Sequence, residues 1–230
     1  MSYAIKQYEV LANMLETDLV TRENNRGYII GRPKINGQFE GRRISITPKT
    51  ILINDTEEWY HILEVGCQLP EGYTLVLKRE GLRHQILKGF GLRDIQFGHK
   101  AFDDNFLIQS NDPELSKIIL NEPLRNSLVR DMGFFGGYRI GKTGWVTKRI
   151  RNKTKKTKSA EEILDIDLIL ENQESVARKK EKEHHPEKLI KTVFSHDIGN
   201  EMKRKWMERL IKTTVLLAKN LELATSQDDV

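Results

Sequence analysis

Six short runs rich in β-branched or aromatic residues lie between residues 28 and 78: Tyr28–Ile30, Lys34–Phe39, Arg42–Thr47, Thr50–Ile53, Trp59–Val65 and Tyr73–Lys78. They are punctuated by Asn36-Gly37, Glu40-Gly41, Asn54-Asp55 and Pro70-Glu71-Gly72, and glycine at such positions supplies the positive φ of tight turns. Connections this short leave no room for the crossover that joins parallel strands. The spacing predicts an antiparallel meander. Ile44-Ser-Ile46 and Leu75-Val-Leu77-Lys alternate as strands with one buried face do. A second β stretch is expected over Asp94–Gln109, with Ile95, Phe97, Phe102, Phe106 and Ile108.

Helical periods flank this text. Ala4, Tyr8, Leu11, Leu15 and Leu19 recur at helical spacing, which predicts an amphipathic opening helix ending by Thr21–Asn25 and Gly27. Glu201–Leu221 reads as a closing helix with Met202, Trp206, Leu210, Leu217 and Leu221 on one side. Between them, Asp112-Pro113 signals a helix start, because Asp accepts orphan amides at the N-cap and Pro suits the first turn. Leu115, Ile118 and Ile119 form its expected inner face; Pro123 interrupts it, and Leu124 and Leu128 resume before Gly133. The predicted fold class is α+β: an antiparallel sheet from residues 27 to 110, with the opening and closing helices packed on its core.

The expected organisation has four parts. Residues 1–138 form the α+β core, 139–158 a basic hairpin or loop, 159–223 a helical C-terminal region, and 224–230 a disordered tail. After the glycine-rich Gly133–Gly137, Tyr138–Ile150 suits a hairpin turning at Lys142-Thr-Gly144. Ser159 and Glu162 are spaced as a capping box. ILDIDLIL fits a helix or a strand, with helix preferred, and Arg178–His185 reads as a linker or a solvated helix face.

Two phrases carry a resemblance. Gly37-Gln-Phe-Glu-Gly41-Arg42-Arg-Ile44-Ser-Ile46 is followed by Phe102-Asp103-Asp-Asn-Phe106-Leu-Ile108 and Asp112-Pro113-Glu114-Leu115. Over about residues 27–130 and the last helix, this pattern resembles an uncharacterised family of prokaryotic proteins. The resemblance implies a fold and carries no assigned activity or catalytic residue. The stretch from about 139 to 185 departs from it as an elaboration.

Charge is concentrated in one place. Arg139 to Lys158 holds nine Lys or Arg and no acidic residue, whereas the other 210 residues hold 29 basic against 33 acidic side chains. One localised contact with an anionic partner follows, not a generally basic protein. The expected contact residues are Arg139, Lys142, Trp145, Lys148, Arg149, Arg151, Lys153, Lys155, Lys156 and Lys158. Such a run is compatible with a solvated loop, with nucleic-acid phosphates beside which Trp145 and Tyr138 stack on bases, or with an acidic protein or anionic membrane surface. None of the C2H2, RNP or KH signatures is present in the sequence.

Other motifs invite an enzyme. Gly136-Gly-Tyr-Arg-Ile-Gly141-Lys142-Thr143 satisfies the P-loop pattern, but that loop needs a buried strand before it and a helix after it, and neither flank reads so. His196-Asp-Ile-Gly-Asn200 has the look of a phospho-accepting box; a His196-Asp197 helix-capping pair is the expected role. His184-His185 lacks a second ligand cluster, and Asp103-Asp104 reads as a strand edge or turn before a cation site. No metal, cofactor or catalytic residue is therefore expected. Cys67, the single cysteine, suits a small buried residue in a reducing compartment. No run approaches a membrane span, and MSYAIKQYEV lacks a secretion signal, so a cytoplasmic location is expected. The expected function is that of a non-catalytic binding or scaffold protein within an assembly of other proteins, or, alternatively, an RNA- or single-stranded-DNA-binding protein using residues 139–158.

Overall fold

The computed structural model describes residues 3–21, 23, 25–26, 31–53, 56–70, 72–79, 95–140, 188–194 and 198–226. Helix α1 (Tyr3–Met14) opens the chain. Strands β1 (Leu19–Val20), β2 (Lys34–Phe39), β3 (Arg42–Ile53), β4 (Thr56–Cys67) and β5 (Leu75–Arg79) follow. Then come α2 (Lys100–Asp103), β6 (Phe106–Ser110), α3 (Pro113–Ile119), α4 (Glu122–Asp131), β7 (Phe135–Ile140), β8 (Lys188–Phe194) and a long α5 (Glu201–Ser226). The strands form one eight-stranded sheet in the order β1-β2-β3-β4-β8-β7-β5-β6. Every neighbouring pair is antiparallel. The α+β fold with helices at both ends of the chain is thus observed.

Local chemistry explains most boundaries. Glu40 and Gly41, both at positive φ, make the two-residue turn between β2 and β3. Asp112 Oδ1 accepts the Leu115 amide at 3.0 Å, with Pro113 in the first turn of α3. Asn121 Oδ1 accepts the Leu124 amide at 3.2 Å and restarts the helix as α4 ahead of Pro123. The cap of α5 is Asn200, whose Oδ1 accepts the Lys203 amide at 2.9 Å; His196 and Asp197, the expected capping pair, lie outside the described residues.

Several expectations need correction. Helix α1 stops at Met14 because Glu16 adopts a φ of 51°, which carries Leu19 into β1 instead of onto the helix. Asn36-Gly37 is strand, not turn: a Cβ on Gly37 would meet the Leu15 carbonyl oxygen at 2.2 Å, and that carbonyl accepts the Gln38 amide at 2.9 Å. Arg42–Thr47 and Thr50–Ile53 are one strand. Of the second β stretch only Phe106–Ser110 is strand; Phe102 lies on α2, buried against Phe106. Ile118 and Met202 are exposed. The sheet also extends past residue 110: Lys188–Phe194, inside the region expected to be helical, is β8 and fills the gap between β4 and β7. Tyr28–Ile30, the capping box at Ser159, ILDIDLIL, Arg178–His185 and the last four residues lie outside the described residues.

The helices lie on one face of the sheet. Tyr8 of α1 is bonded to His61 of β4 at 2.8 Å, and Thr214 of α5 to Tyr138 of β7 at 2.9 Å. Ile35, Ile44, Ile46, Leu63, Val65, Leu75, Leu77, Ile108, Ile140 and Ile190 share that face and are buried in the single core. Burying side chains of this kind contributes about 1.5–3 kcal/mol each, before chain entropy is set against it.

Candidate functional site

Register fixes what the opposite face carries, because directly paired residues of antiparallel strands project to the same side. One row runs across the sheet through Asn36, Ser45, Glu64, Lys191, Arg139, Val76 and Gln109. Neighbouring rows add Lys34, Arg43, Lys49, Ile62 and Lys78. Among the described side chains of this outer face, the cations Lys34, Arg43, Lys49, Lys78, Arg139 and Lys191 stand against one carboxylate, Glu64. That carboxylate is engaged by Lys191 Nζ at 2.9 Å. Ser45 donates to Asn36 Oδ1 at 2.9 Å beside it. Among the described side chains this face is therefore rich in cations, and field from several like charges adds over such a surface.

Arg139 is the expected contact residue that the described structure contains. It stands half-buried near the end of β7, paired with Lys191 on one side and Val76 on the other. Lys142, Trp145, Lys148, Arg149, Arg151, Lys153, Lys155, Lys156 and Lys158 lie outside the described residues. Strand β7 is described to Ile140 and β8 from Lys188, and the two are adjacent strands, with Ile140 opposite Ile190. The hairpin expected over Tyr138–Ile150 does not form at Tyr138–Ile140, since β5 and β8 already occupy both edges there. Tyr138 is also corrected as a base-stacking residue. Its ring is wholly buried, its hydroxyl is bonded to Thr214, and burial pushes its pKa upward.

The first five residues of the P-loop pattern, Gly136–Ile140, are strand, and Gly141-Lys142-Thr143 lie outside the described residues. Gly136 and Gly137 mark a shift of register between β7 and β8, a bulge. Gly137 has a φ of 135°, and a Cβ there would meet the Leu77 carbonyl oxygen at 2.1 Å. Its own carbonyl accepts Thr192 Oγ1 at 2.5 Å. Tyr138–Ile140 continue extended between two partners, whereas a phosphate-binding loop must curl its amides around the anion.

The remaining candidates are occupied by structural bonds. Both carboxylate oxygens of Asp103 accept backbone amides, from Phe97 and His99 at 3.0 Å each, so Asp103 ties a turn. Buried Asp131 is held by Arg130, Arg209 and Thr213. Arg42 grips Glu222 through two bonds of 2.5 and 2.6 Å, which holds the Glu222 carboxyl below its ordinary range. Cys67 is buried against α5, and burial pushes its thiol up to about 12, so it stays protonated and unreactive. An open cleft of about 730 Å³ at the start of α5 is lined by Asn200, Glu201, Met202, Lys205, Trp206 and Arg209. Trp206 stacks on Phe134, and Arg209 sits over the same ring at 5.3 Å. Among the described residues no His, Cys, Asp and Glu group could hold a metal, and no helix is long and apolar enough to cross a membrane. His184, His185 and His196 lie outside them.

Set against protein-family models and against curated proteins, the chain matches none. Within the chain, the residues of the noted resemblance have packing roles that geometry explains: Gly37 admits α1, Phe102 and Phe106 fill the core, Asp103 ties a turn and Asp112 caps a helix. The outer face itself escaped sequence reading. Its cations are spaced along five strands, and only the pairing register gathers them.

Proposed function

We propose that this protein is a binding or scaffold protein that docks an anionic partner through the basic run following β7. The observation that carries this reading is placement: the strand that delivers the run, β7, sets Arg139 on the cation-rich face of a rigid sheet. In sequence, Arg139 is the first of the nine basic residues of Arg139–Lys158, and β7, from which the run follows, is adjacent to β8. A rigid platform lowers the ordering cost of binding, and clustered charge speeds encounter. Supporting it, the buried polar groups described above are committed to partners within the fold. The partners that fit are an acidic protein surface within an assembly, a nucleic acid, or an anionic lipid surface, since all present dense negative charge.

Nucleic-acid binding keeps Trp145 as its discriminating residue, now without Tyr138. If the partner is single-stranded, Trp145→Ala loses on the order of 1–3 kcal/mol of binding; if Trp145 serves packing, the same change lowers the melting temperature instead. The deciding experiment purifies the native protein and identifies what accompanies it, before and after nuclease treatment. Replacing Lys148, Arg149, Arg151, Lys153, Lys155, Lys156 and Lys158 by Ser is expected to release the partner while leaving thermal stability nearly unchanged. Retention of every partner by that variant would sink the reading, and so would ATP turnover by the pure protein that Lys142→Ala abolishes.

A further inference from the structure

In the cleft of about 730 Å³ where α5 begins, Arg209 is held from two sides. Its Nη2 donates to Asp131, and its guanidinium carbon stands 5.3 Å from the centre of the Phe134 ring. Its Nε and Nη1 bond to no described residue, and its side chain keeps 39% of its surface exposed. Wholly buried Asp131 also accepts Nε and Nη2 of Arg130 at 3.0 and 3.2 Å and the Thr213 hydroxyl at 3.0 Å. Two guanidinium groups thus share one carboxylate, and Arg209 presents the uncompensated charge to the cleft. A guanidinium fixed in this way offers its remaining donors at little further ordering cost. The end of the helix is not the attraction: Asn200 occupies the Lys203 amide at 2.9 Å, and Glu201 matches the Lys205 ammonium at 2.7 Å. Beside Arg209 the wall is apolar. Met202 exposes 54% of its surface, and Trp206 borders the cleft while stacked on Phe134 within 7° of parallel.

We propose that this cleft docks an acidic and apolar segment of a partner protein. An Asp or Glu carboxylate of the partner binds Arg209, and a neighbouring apolar side chain rests on Met202 and Trp206. One charge set beside an apolar wall selects this occupant. A nucleic-acid strand carries a phosphate on every residue and would bring further negative charge past Glu201, whose side chain is 56% exposed. An apolar segment without an acid would displace water from the Arg209 donors and leave them unmet, which is costly. The thioether of Met202 adapts to apolar groups of varied shape, so the partner's apolar residue is less strictly chosen than its acid.

The inference stands apart from the proposed function. Helix α5 packs on the inner face of the sheet, whereas Arg139 projects from the outer face, so the cleft and the basic run are separate sites and either can bind without the other.

The test uses the full-length protein to select ligands from a phage-displayed library of random peptides, then measures the selected peptides, synthesised with blocked ends. The expected peptides set Asp or Glu close to Leu, Met or an aromatic residue. Changing that acid to its amide is expected to weaken binding at least about ten-fold, as one charge-assisted hydrogen bond would. Arg209→Gln and Met202→Asp are each expected to do the same. Arg209→Gln leaves Asp131 held by Arg130 and Thr213, and Met202→Asp alters an exposed residue, which keeps the test decisive should the first variant fail to fold. Binding is expected to persist in the variant of the basic run with seven Ser replacements. Several results would each overturn the proposal: no enrichment, enrichment of peptides without an acid, or binding that survives either change in a folded protein. Loss of binding in the Ser variant, or displacement of the peptide from that variant by a short oligonucleotide, would do so too.

Discussion

The inner and outer faces of the sheet use the same eight strands and alternate residues, and they solve opposite problems. On the inner side, polar groups are few, neutral or paired. Tyr138, Thr214 and the Leu210 carbonyl form a chain of bonds of 2.9 and 2.7 Å, and Tyr73 pairs with Ser116 at 2.9 Å. On the outer side, the described polar groups include six cations, gathered from β2, β3, β5, β7 and β8. A buried hydroxyl bonded to a neighbour specifies packing; cations ranged on one face specify the sign of what may approach. If the outer face recognises a partner as proposed, stability and recognition fall on different sides of one layer, and substitutions on the two should separate cleanly.

The largest contrast is expected in the core. Leu63→Ala or Leu210→Ala, both wholly buried, should cost about 2–5 kcal/mol in denaturant unfolding, with little effect on partner binding per folded molecule. A loss under about 1 kcal/mol at both positions would mean that the helical layer is loosely seated, since deleted methylenes in a close-packed core cost more. Next comes Gly137→Ala. Its Cβ would enter the space of the Leu77 carbonyl, and overpacking of this kind costs about 1–3 kcal/mol, measurable as a lower thermal midpoint.

A smaller effect belongs to Glu222. Its folded pKa is depressed, through the bond from Arg42 first, so its contribution is present above the ordinary carboxylate pKa and lost as pH falls through the folded value. Glu222→Gln should therefore destabilise at neutral pH and flatten the acid limb of the stability profile; an unchanged limb would assign acid sensitivity elsewhere. Cys67 behaves oppositely. Its raised pKa means that stability is kept below the unfolded value and lost as pH rises toward about 12, and a thiol reagent at pH 8 should modify it only as the protein unfolds. The smallest effect on folding is expected on the outer face at β2 and β3, where Lys34→Ser and Arg43→Ser, both at exposed positions, should stay within about 0.5 kcal/mol. A larger loss there would erase the distinction between the faces.

Much of the fold was legible because its signals are local. Alternation at Ile44-Ser-Ile46, the turn at Glu40-Gly41 and the cap at Asp112 act within a few residues, and each occurs where its chemistry demands. Strand β8 was not legible: Lys188–Phe194 pairs with His61–Cys67 and with β7, and no local pattern announces a partner so distant in sequence. The end of α1 failed for another reason. Leu19 continues the helical period, but Glu16 turns the chain at positive φ and hands Leu19 to a strand edge. Of the site, sequence located the basic run, while the cationic face emerged only from register, since Lys34, Lys78 and Lys191 look like scattered surface lysines until the strands are aligned.

The central claim is that the run after β7 binds anions through charge while the folded body is indifferent to its loss. The most direct measurement is the salt concentration that elutes the full-length protein from an immobilised polyanion such as heparin, alongside its melting temperature. The account predicts retention of the unaltered protein, much earlier elution of the variant with Ser at Lys148, Arg149, Arg151, Lys153, Lys155, Lys156 and Lys158, and closely similar melting temperatures. Identical elution of the two proteins, or a variant that elutes early only because it has unfolded, would contradict it.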